Sequence, residues 1–358
     1  VGNRFARAPR RTLLALGVAL LALGLGLAEL LVRTAALDFY EPELRAGTPT
    51  ADLAPSARPT LIALGDSFTA NPEGWVARLR EGLGPRRRVI GSGVSGFTSR
   101  QLRRIAPGRI ARFGPRVVAV QLYAGNDLLE LRHPVDPRRG GLARSFFWSL
   151  SDLGLELPGL LNYRAGQLVD AFRRRRGDAP LPPGGRATLE ALPFDPALYT
   201  ARDRELLALD PWVVERQLRL TGGMDRAFAA YAADLRTLLA VCRELHAAAV
   251  VFVVPHAVEV APAYQERFAA LGARFEAPEA LAAPESPFGL AVRRVVAAAP
   301  GAAFLDVKPA LREAESRGRP VYRNNDSHFS AEGDRAVADA LLAHLSRSGF
   351  AAEHPREE

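Results

Sequence analysis

The chain is 358 residues long, with 48% hydrophobic and 24% charged residues. Those proportions exclude a wholly disordered, a collagen-like and a multi-span membrane protein, and they fit one large domain or two small ones. The formal net charge is +8, yet Lys308 is the only lysine, which together with heavy Ala, Gly, Pro and Leu usage fits a G+C-rich coding bias. The arginines are scattered apart from 86–88 and 173–176, and no aromatic platform is interleaved with them. The charge therefore reads as a solvated basic surface, with no nucleic-acid partner expected. A single cysteine, Cys242, excludes an intrachain disulfide, and no Cys/His cluster has structural zinc spacing.

Residues 13–32 form an apolar run broken only by Glu29. About twenty helical residues at ~1.5 Å each match a hydrocarbon core of ~30 Å. Arg4, Arg7, Arg10 and Arg11 precede the run, which by the positive-inside rule puts the N-terminus in the cytoplasm and the rest of the chain outside. A cleaved signal peptide would have a shorter apolar region and a small-x-small site, and no clean site follows Val32. An uncleaved anchor is the expectation. Glu29 lies close enough to the outer end to reach the interface. Beyond it, 40–59 is rich in Pro, Ala and acidic residues and reads as a linker.

Short apolar runs at 60–64, 88–90, 117–122, 249–254 and 303–307 are predicted strands. Helical stretches alternate with them at 74–82, 99–113, 224–246, 288–298 and 308–315, and a last helix at 331–345 has Ser330 as N-cap. The pattern predicts an α/β fold: a flavodoxin-like, doubly wound, mainly parallel five-stranded sheet, which binds ligands beyond the carboxyl ends of its strands. Residues 132–223 are too long for an ordinary connection and are expected to form a helical insertion. That insertion holds the aromatic run Phe146, Phe147 and Trp148, the arginines of 173–176 and a Pro/Gly cluster at 180–185. The favoured expectation is a lid over the strand ends; the alternatives are a surface that touches the membrane or a partner, and a plain surface insertion with a small core of its own.

Four short blocks carry chemistry. The first strand runs into Gly65-Asp66-Ser67-Phe68, where a tight turn would project the serine hydroxyl at a strand end. After the second strand comes Gly91-Ser92-Gly93-Val94-Ser95-Gly96, and a glycine there lets a backbone N–H face an incoming oxyanion. It spells G-x-G-x-x-G, but no P-loop lysine accompanies it and the acidic residue of a dinucleotide site is missing. The third strand is followed by Tyr123-Ala124-Gly125-Asn126-Asp127, whose asparagine amide is a neutral donor suited to a developing oxyanion. Before the last helix stands Tyr322-Arg323-Asn324-Asn325-Asp326-Ser327-His328-Phe329-Ser330. A histidine beside a carboxylate is the base and orienter that a weak serine nucleophile needs.

Taken in this order, the four blocks resemble the SGNH, or GDSL-type, hydrolases, over 60–345 without the insertion. The resemblance implies that Ser67 is the nucleophile, that the N–H groups of Ser67 and Gly93 with the Asn126 side chain form the oxyanion hole, and that His328 and Asp326 complete the triad. In the common form of the family the aspartate stands three residues before the histidine, and that position here is Asn325. The Asp326-x-His328-Phe329 pattern is instead similar to a membrane-linked branch that includes acetyltransferases of alginate and related polysaccharides, although there the blocks follow a different order.

The implied layout is a cytoplasmic basic tail (1–11), a transmembrane anchor (12–33), a linker (34–59), a catalytic domain (60–350) with the 132–223 insertion, and a tail (351–358). The implied protein is an extracytoplasmic serine esterase or O-acyltransferase acting on an ester, such as an O-acetylated cell-envelope polysaccharide, with no metal or organic cofactor. Its partners would be the ester or acylated carbohydrate, the membrane through the N-terminal helix, and a membrane-bound acyltransferase. The alternatives are a non-catalytic carbohydrate-binding or assembly protein that keeps the fold, and a basic protein that binds a nucleic-acid or membrane surface. Asp66 and Asp127 are expected to hold their turns by side-chain-to-backbone bonds. His256 is expected at the rim or surface, and Cys242 as a small buried apolar residue on a helix.

Overall fold

The fold is taken from a computed structural model, which describes residues 9–34, 38–125, 127–131, 155–176 and 192–350. Two compact units emerge, one built from residues 1–39 and 137–179 and the other from 40–136 and 180–358. The predicted aromatic run at 146–148 and the Pro/Gly cluster at 180–185 lie outside the described residues, as do 1–8 and 351–358.

The larger unit is built on five parallel strands: β1 (Thr60–Gly65), β2 (Arg88–Gly93), β3 (Val117–Tyr123), β4 (Ala248–Val254) and β5 (Ala302–Leu305). Their spatial order is β2-β1-β3-β4-β5, the flavodoxin-like order expected from sequence. β1, β2 and β3 are buried at every residue, which is why β1 and β3 read as largely apolar runs without alternation. Register puts Gly65 beside Gly93, so the turns that leave β1 and β2 start level with each other.

Helices cover both faces of the sheet. The longest in this unit, Met224–Glu244, buries Ala227, Tyr231, Leu235, Leu238 and Cys242, spaced three or four apart along one face. Each leucine so removed from water contributes about 1.5–3 kcal/mol against the conformational entropy of folding. The last helix, Ala331–Arg347, begins where predicted: the Ser330 hydroxyl accepts from the N–H groups of Glu332 (3.1 Å) and Gly333 (3.3 Å). Lys308 opens the helix Lys308–Ser316 and is buried, its ammonium 2.8 Å from the Glu259 carboxylate.

The segment expected as a linker is instead folded onto the sheet from Tyr40 onward. It forms two short helices, Glu41–Gly47 and Thr50–Leu53, and Leu44 is completely buried. Between them the Thr48 hydroxyl donates to the Gly91 carbonyl (3.1 Å) and accepts from the Gly91 N–H (3.0 Å). Gly91 lies on the edge strand β2, so one side chain stands in for the missing neighbouring strand and blunts that edge.

The smaller unit contains the apolar helix Pro9–Thr34, of which Thr12–Thr34 is long and apolar enough to cross a membrane, and the helix Leu157–Arg176.

Candidate active site

A cavity of about 380 Å³ opens in the larger unit, beyond the carboxyl ends of β1 and β3. Ser67 reaches it because β1 ends at Gly65 and the chain turns at once into the short helix Ser67–Ala70. The buried Asp66 carboxylate caps that helix by accepting the Phe68 N–H at 2.9 Å. Gln121 on β3 braces the same turn, its carbonyl oxygen accepting from the Asp66 N–H (3.1 Å) and the Thr69 hydroxyl (2.9 Å). Burial pushes the Asp66 carboxyl up to about 6, against the opposing pull of the Phe68 amide and the His328 charge. Asp127 plays the corresponding part after β3, accepting from the Tyr123 N–H (3.0 Å) and the Tyr231 hydroxyl (2.8 Å).

Opposite Ser67 stands a closed loop, residues 322–329. Tyr322 pairs with Phe329 in an antiparallel bridge, and the Arg323 N–H donates to the His328 carbonyl at 3.0 Å. Inside it, His328 Nδ1 lies 2.7 Å from Asp326 Oδ1 and His328 Nε2 lies 2.7 Å from Ser67 Oγ. Burial alone would raise the Asp326 carboxyl, but the hydrogen bond and charge of His328, with Arg323 behind, bring it down to about 2. A carboxylate ionised to that degree can only accept, so Nδ1 carries the proton and the Nε2 lone pair is left to accept from the serine hydroxyl. Burial disfavours the imidazolium, and the bond and charge of Asp326 outweigh it, so the His328 pKa sits above its ordinary value. The imidazole also packs on the Phe68 ring, centroids 4.9 Å apart, which restricts rotation about its side-chain bonds.

Asn325, in the place where the resembled family carries its aspartate, is buried and has other partners. Its Oδ1 accepts from the Asp195 N–H (2.8 Å) and its Nδ2 donates to the Pro193 carbonyl (3.0 Å). Asn324 reaches the Leu192 carbonyl at 2.8 Å. The two asparagines fasten the returning limb of the insertion, whose helices Ala201–Leu209 and Val213–Arg219 follow directly. Thr200, Asp203, Leu206, Leu207 and Val214 from this limb line the cavity, so this limb of the insertion forms part of its wall.

Two residues have surroundings other than those expected. Gly93 ends β2 without lining the cavity, and a Cβ there would run into the backbone of Thr69 and Ala70. Its glycine is required by the close approach of the Ser67 turn. Gly96 lines the cavity beside Ser67 and has φ of +78°, a left-handed conformation that glycine adopts without strain. The only signal in the sequence was a choice among three glycines, and torsion angles separate them. His256 is also not at the surface: it is 4% exposed, its Nδ1 accepts from the Val258 N–H at 3.3 Å, and its ring stacks on Tyr123. Burial brings its pKa down to about 3, so it is a neutral part of the cavity wall. Asn126 lies outside the described residues.

Among the described residues no group of three or more His, Cys, Asp or Glu side chains is placed to hold a metal ion. Cys242 is a free, buried thiol.

No protein-family model matches the chain, and no curated protein matches it. Solved structures similar to it include a catalytic mutant of Axe2, an acetylxylan esterase from Geobacillus stearothermophilus, at a TM-score of 0.42 and 16% identity, covering 84% of this chain and 99% of that one. TesA is similar at a TM-score of 0.39 and 15% identity, covering 80% of this chain and 98% of that one. At such distances the functional reading rests on the site's own geometry.

Proposed function

We propose that this chain is a membrane-anchored serine esterase or O-acyltransferase of the SGNH type. The observation that carries the reading is the continuous chain from Ser67 Oγ through His328 to Asp326, with both contacts at 2.7 Å. In the reaction, Ser67 Oγ attacks the ester carbonyl carbon while His328 Nε2 takes the hydroxyl proton. Asp326 stabilises the imidazolium so formed. The resulting oxyanion is met by the Ser67 N–H, which as the first helical amide has no acceptor within its helix, and by the Gly96 N–H in place of Gly93; the family resemblance adds the Asn126 amide. Collapse of the intermediate expels the alkoxide, which takes the proton from His328, and leaves an acyl-serine. Water, or the hydroxyl of an acceptor such as a sugar, then gives its proton to His328 and attacks the acyl carbon; collapse of this second intermediate breaks the bond to Ser67 Oγ, which takes the proton back from His328 and leaves the enzyme as it began.

The apolar helix Thr12–Thr34 would hold the enzyme at the membrane with the catalytic unit outside the cytoplasm, near an O-acetylated envelope polysaccharide. A fluorophosphonate probe tests the serine directly. The full chain in detergent is expected to be labelled, and the Ser67→Ala and His328→Ala variants are not. Absence of labelling in a folded wild-type chain would overturn the proposal. Release of acetate from an acetylated polysaccharide, compared with transfer to an added acceptor, then separates hydrolase from transferase.

A further inference from the structure

Glu29 is the one charged residue inside the apolar run of the N-terminal helix. In the smaller unit its carboxylate accepts from the N–H groups of Glu156 (2.9 Å) and Leu157 (2.7 Å), and Arg33 one turn along donates to it at 3.1 Å. It therefore caps the start of the helix Leu157–Arg176, whose opening amides have no partner within their own helix. Two turns on, the Arg164 guanidinium donates to the Phe39 carbonyl. These bonds fix both where the second helix starts and where it passes the end of the first.

The helix Leu157–Arg176 has an unusual surface. Leu161, Leu168, Val169 and Phe172 are 57%, 72%, 48% and 54% exposed. At about 100° per residue the four fall within one stripe about 100° wide. The helix then ends in a run of four arginines, 173–176. Glu29 lies five residues before the end of the apolar helix, or about 7 Å along its axis, which is the depth at which interfacial helices place their apolar face.

We infer that Leu157–Arg176 is a second membrane-contacting element, lying in the bilayer interface with Leu161, Leu168, Val169 and Phe172 in the acyl region. This rests on reading the N-terminal helix as a membrane anchor. The carboxylate that looks misplaced in an apolar span becomes the joint between the two elements. The four arginines add an attraction that depends on anionic lipid and is weakened by salt.

The test uses the full chain in vesicles of phosphatidylcholine with and without phosphatidylglycerol. Single cysteines at Leu161, Leu168, Phe172, Leu20 and Gly166 carry a spin label, and its relaxation by oxygen and by a water-soluble nickel complex is compared. A Cβ at Gly166 meets no atom within 4 Å, and this residue lies about 110° from the centre of the stripe. The native Cys242 does not compete, since burial pushes its thiol up to about 12. Labels at 161, 168 and 172 are expected to respond to oxygen and be shielded from nickel, more strongly with phosphatidylglycerol, while a label at 166 responds to nickel. Nickel access at 161, 168 and 172, with the label at 20 still in lipid, would overturn this inference and leave the anchor standing. Shielding of the three from both reagents would overturn it in favour of a protein covering. A label at 20 open to nickel would overturn the anchor and the inference together. Far-UV circular dichroism confirms that each variant is folded.

Discussion

Replacing Asp326 by Asn keeps the shape of the loop and removes one charge, at the point where the site departs from the common pattern of the resembled family. In the native site the carboxylate holds the proton on His328 Nδ1 across 2.7 Å and faces the imidazolium that forms when Ser67 is deprotonated. Two opposite charges about 4 Å apart in a partly buried setting attract by ~4 kcal/mol at an effective dielectric constant of 20. Loss of that stabilisation in the transition state alone slows the chemical step about 10³-fold. The asparagine amide also favours the wrong imidazole tautomer, which brings the expected loss toward ~10⁴-fold. The assay is hydrolysis of p-nitrophenyl acetate, with kcat and KM measured separately, beside the rate of fluorophosphonate labelling. The loss should fall on kcat, with KM nearly unchanged, and Asn325→Asp in the same background should not restore activity, because residue 325 faces the 192–195 segment. Asp326→Asn retaining activity within tenfold of wild type, or rescue by Asn325→Asp, would refute the assignment of the acid.

The raised pKa of His328 sets the acid limb of the pH profile. Only the neutral imidazole accepts the serine proton, so kcat/KM should fall as pH drops, with a midpoint above 6.5, and Asp326→Asn should move that midpoint down. Asn325→Ala leaves the Asp195 N–H and the Pro193 carbonyl without their partner, and should cost about 1–3 kcal/mol in urea unfolding while retaining labelling at Ser67. Gly93→Ala drives a methyl into the Thr69 and Ala70 backbone and should lower both the melting temperature and activity. Gly96→Ala meets no neighbour and should cost only the strain of a left-handed alanine, about 1–2 kcal/mol. Equal melting temperatures for the two glycine variants would contradict the packing described for Gly93.

Much of this architecture was legible in the residues. Central parallel strands are covered on both faces, so β1 and β3 appear as apolar runs whose predicted ends lie within a residue of the observed ones. Ser67, Asp326 and His328 could be found because each block sits at a strand end or helix start that leaves its own mark, such as the Ser330 cap. The misreadings share a cause. Composition made 40–59 look like a linker, yet Thr48 matches its hydroxyl to a strand edge that only the folded sheet creates. His256 looked like a rim residue because no local pattern announces the aromatic packing of Tyr123 and Phe268 around it. Gly93 and Gly96 are the same letter, and they differ in what approaches one and what torsion the other adopts. The reason for Asn325 lies 130 residues away at Asp195.

The buried pair of Lys308 and Glu259 bears on how this protein can be handled. Since no other lysine exists, no side-chain amine stands open on the surface for succinimidyl dyes, aldehyde fixation or amine cross-linkers. Every exposed basic side chain other than histidine is a guanidinium, which keeps its charge through the alkaline range where lysine-rich surfaces discharge. The positive surface should therefore persist in alkaline buffers, and immobilisation through a side-chain amine would have to unfold the chain around Lys308. Cross-linking maps of neighbours in the membrane need carboxyl-directed or photoactivated reagents.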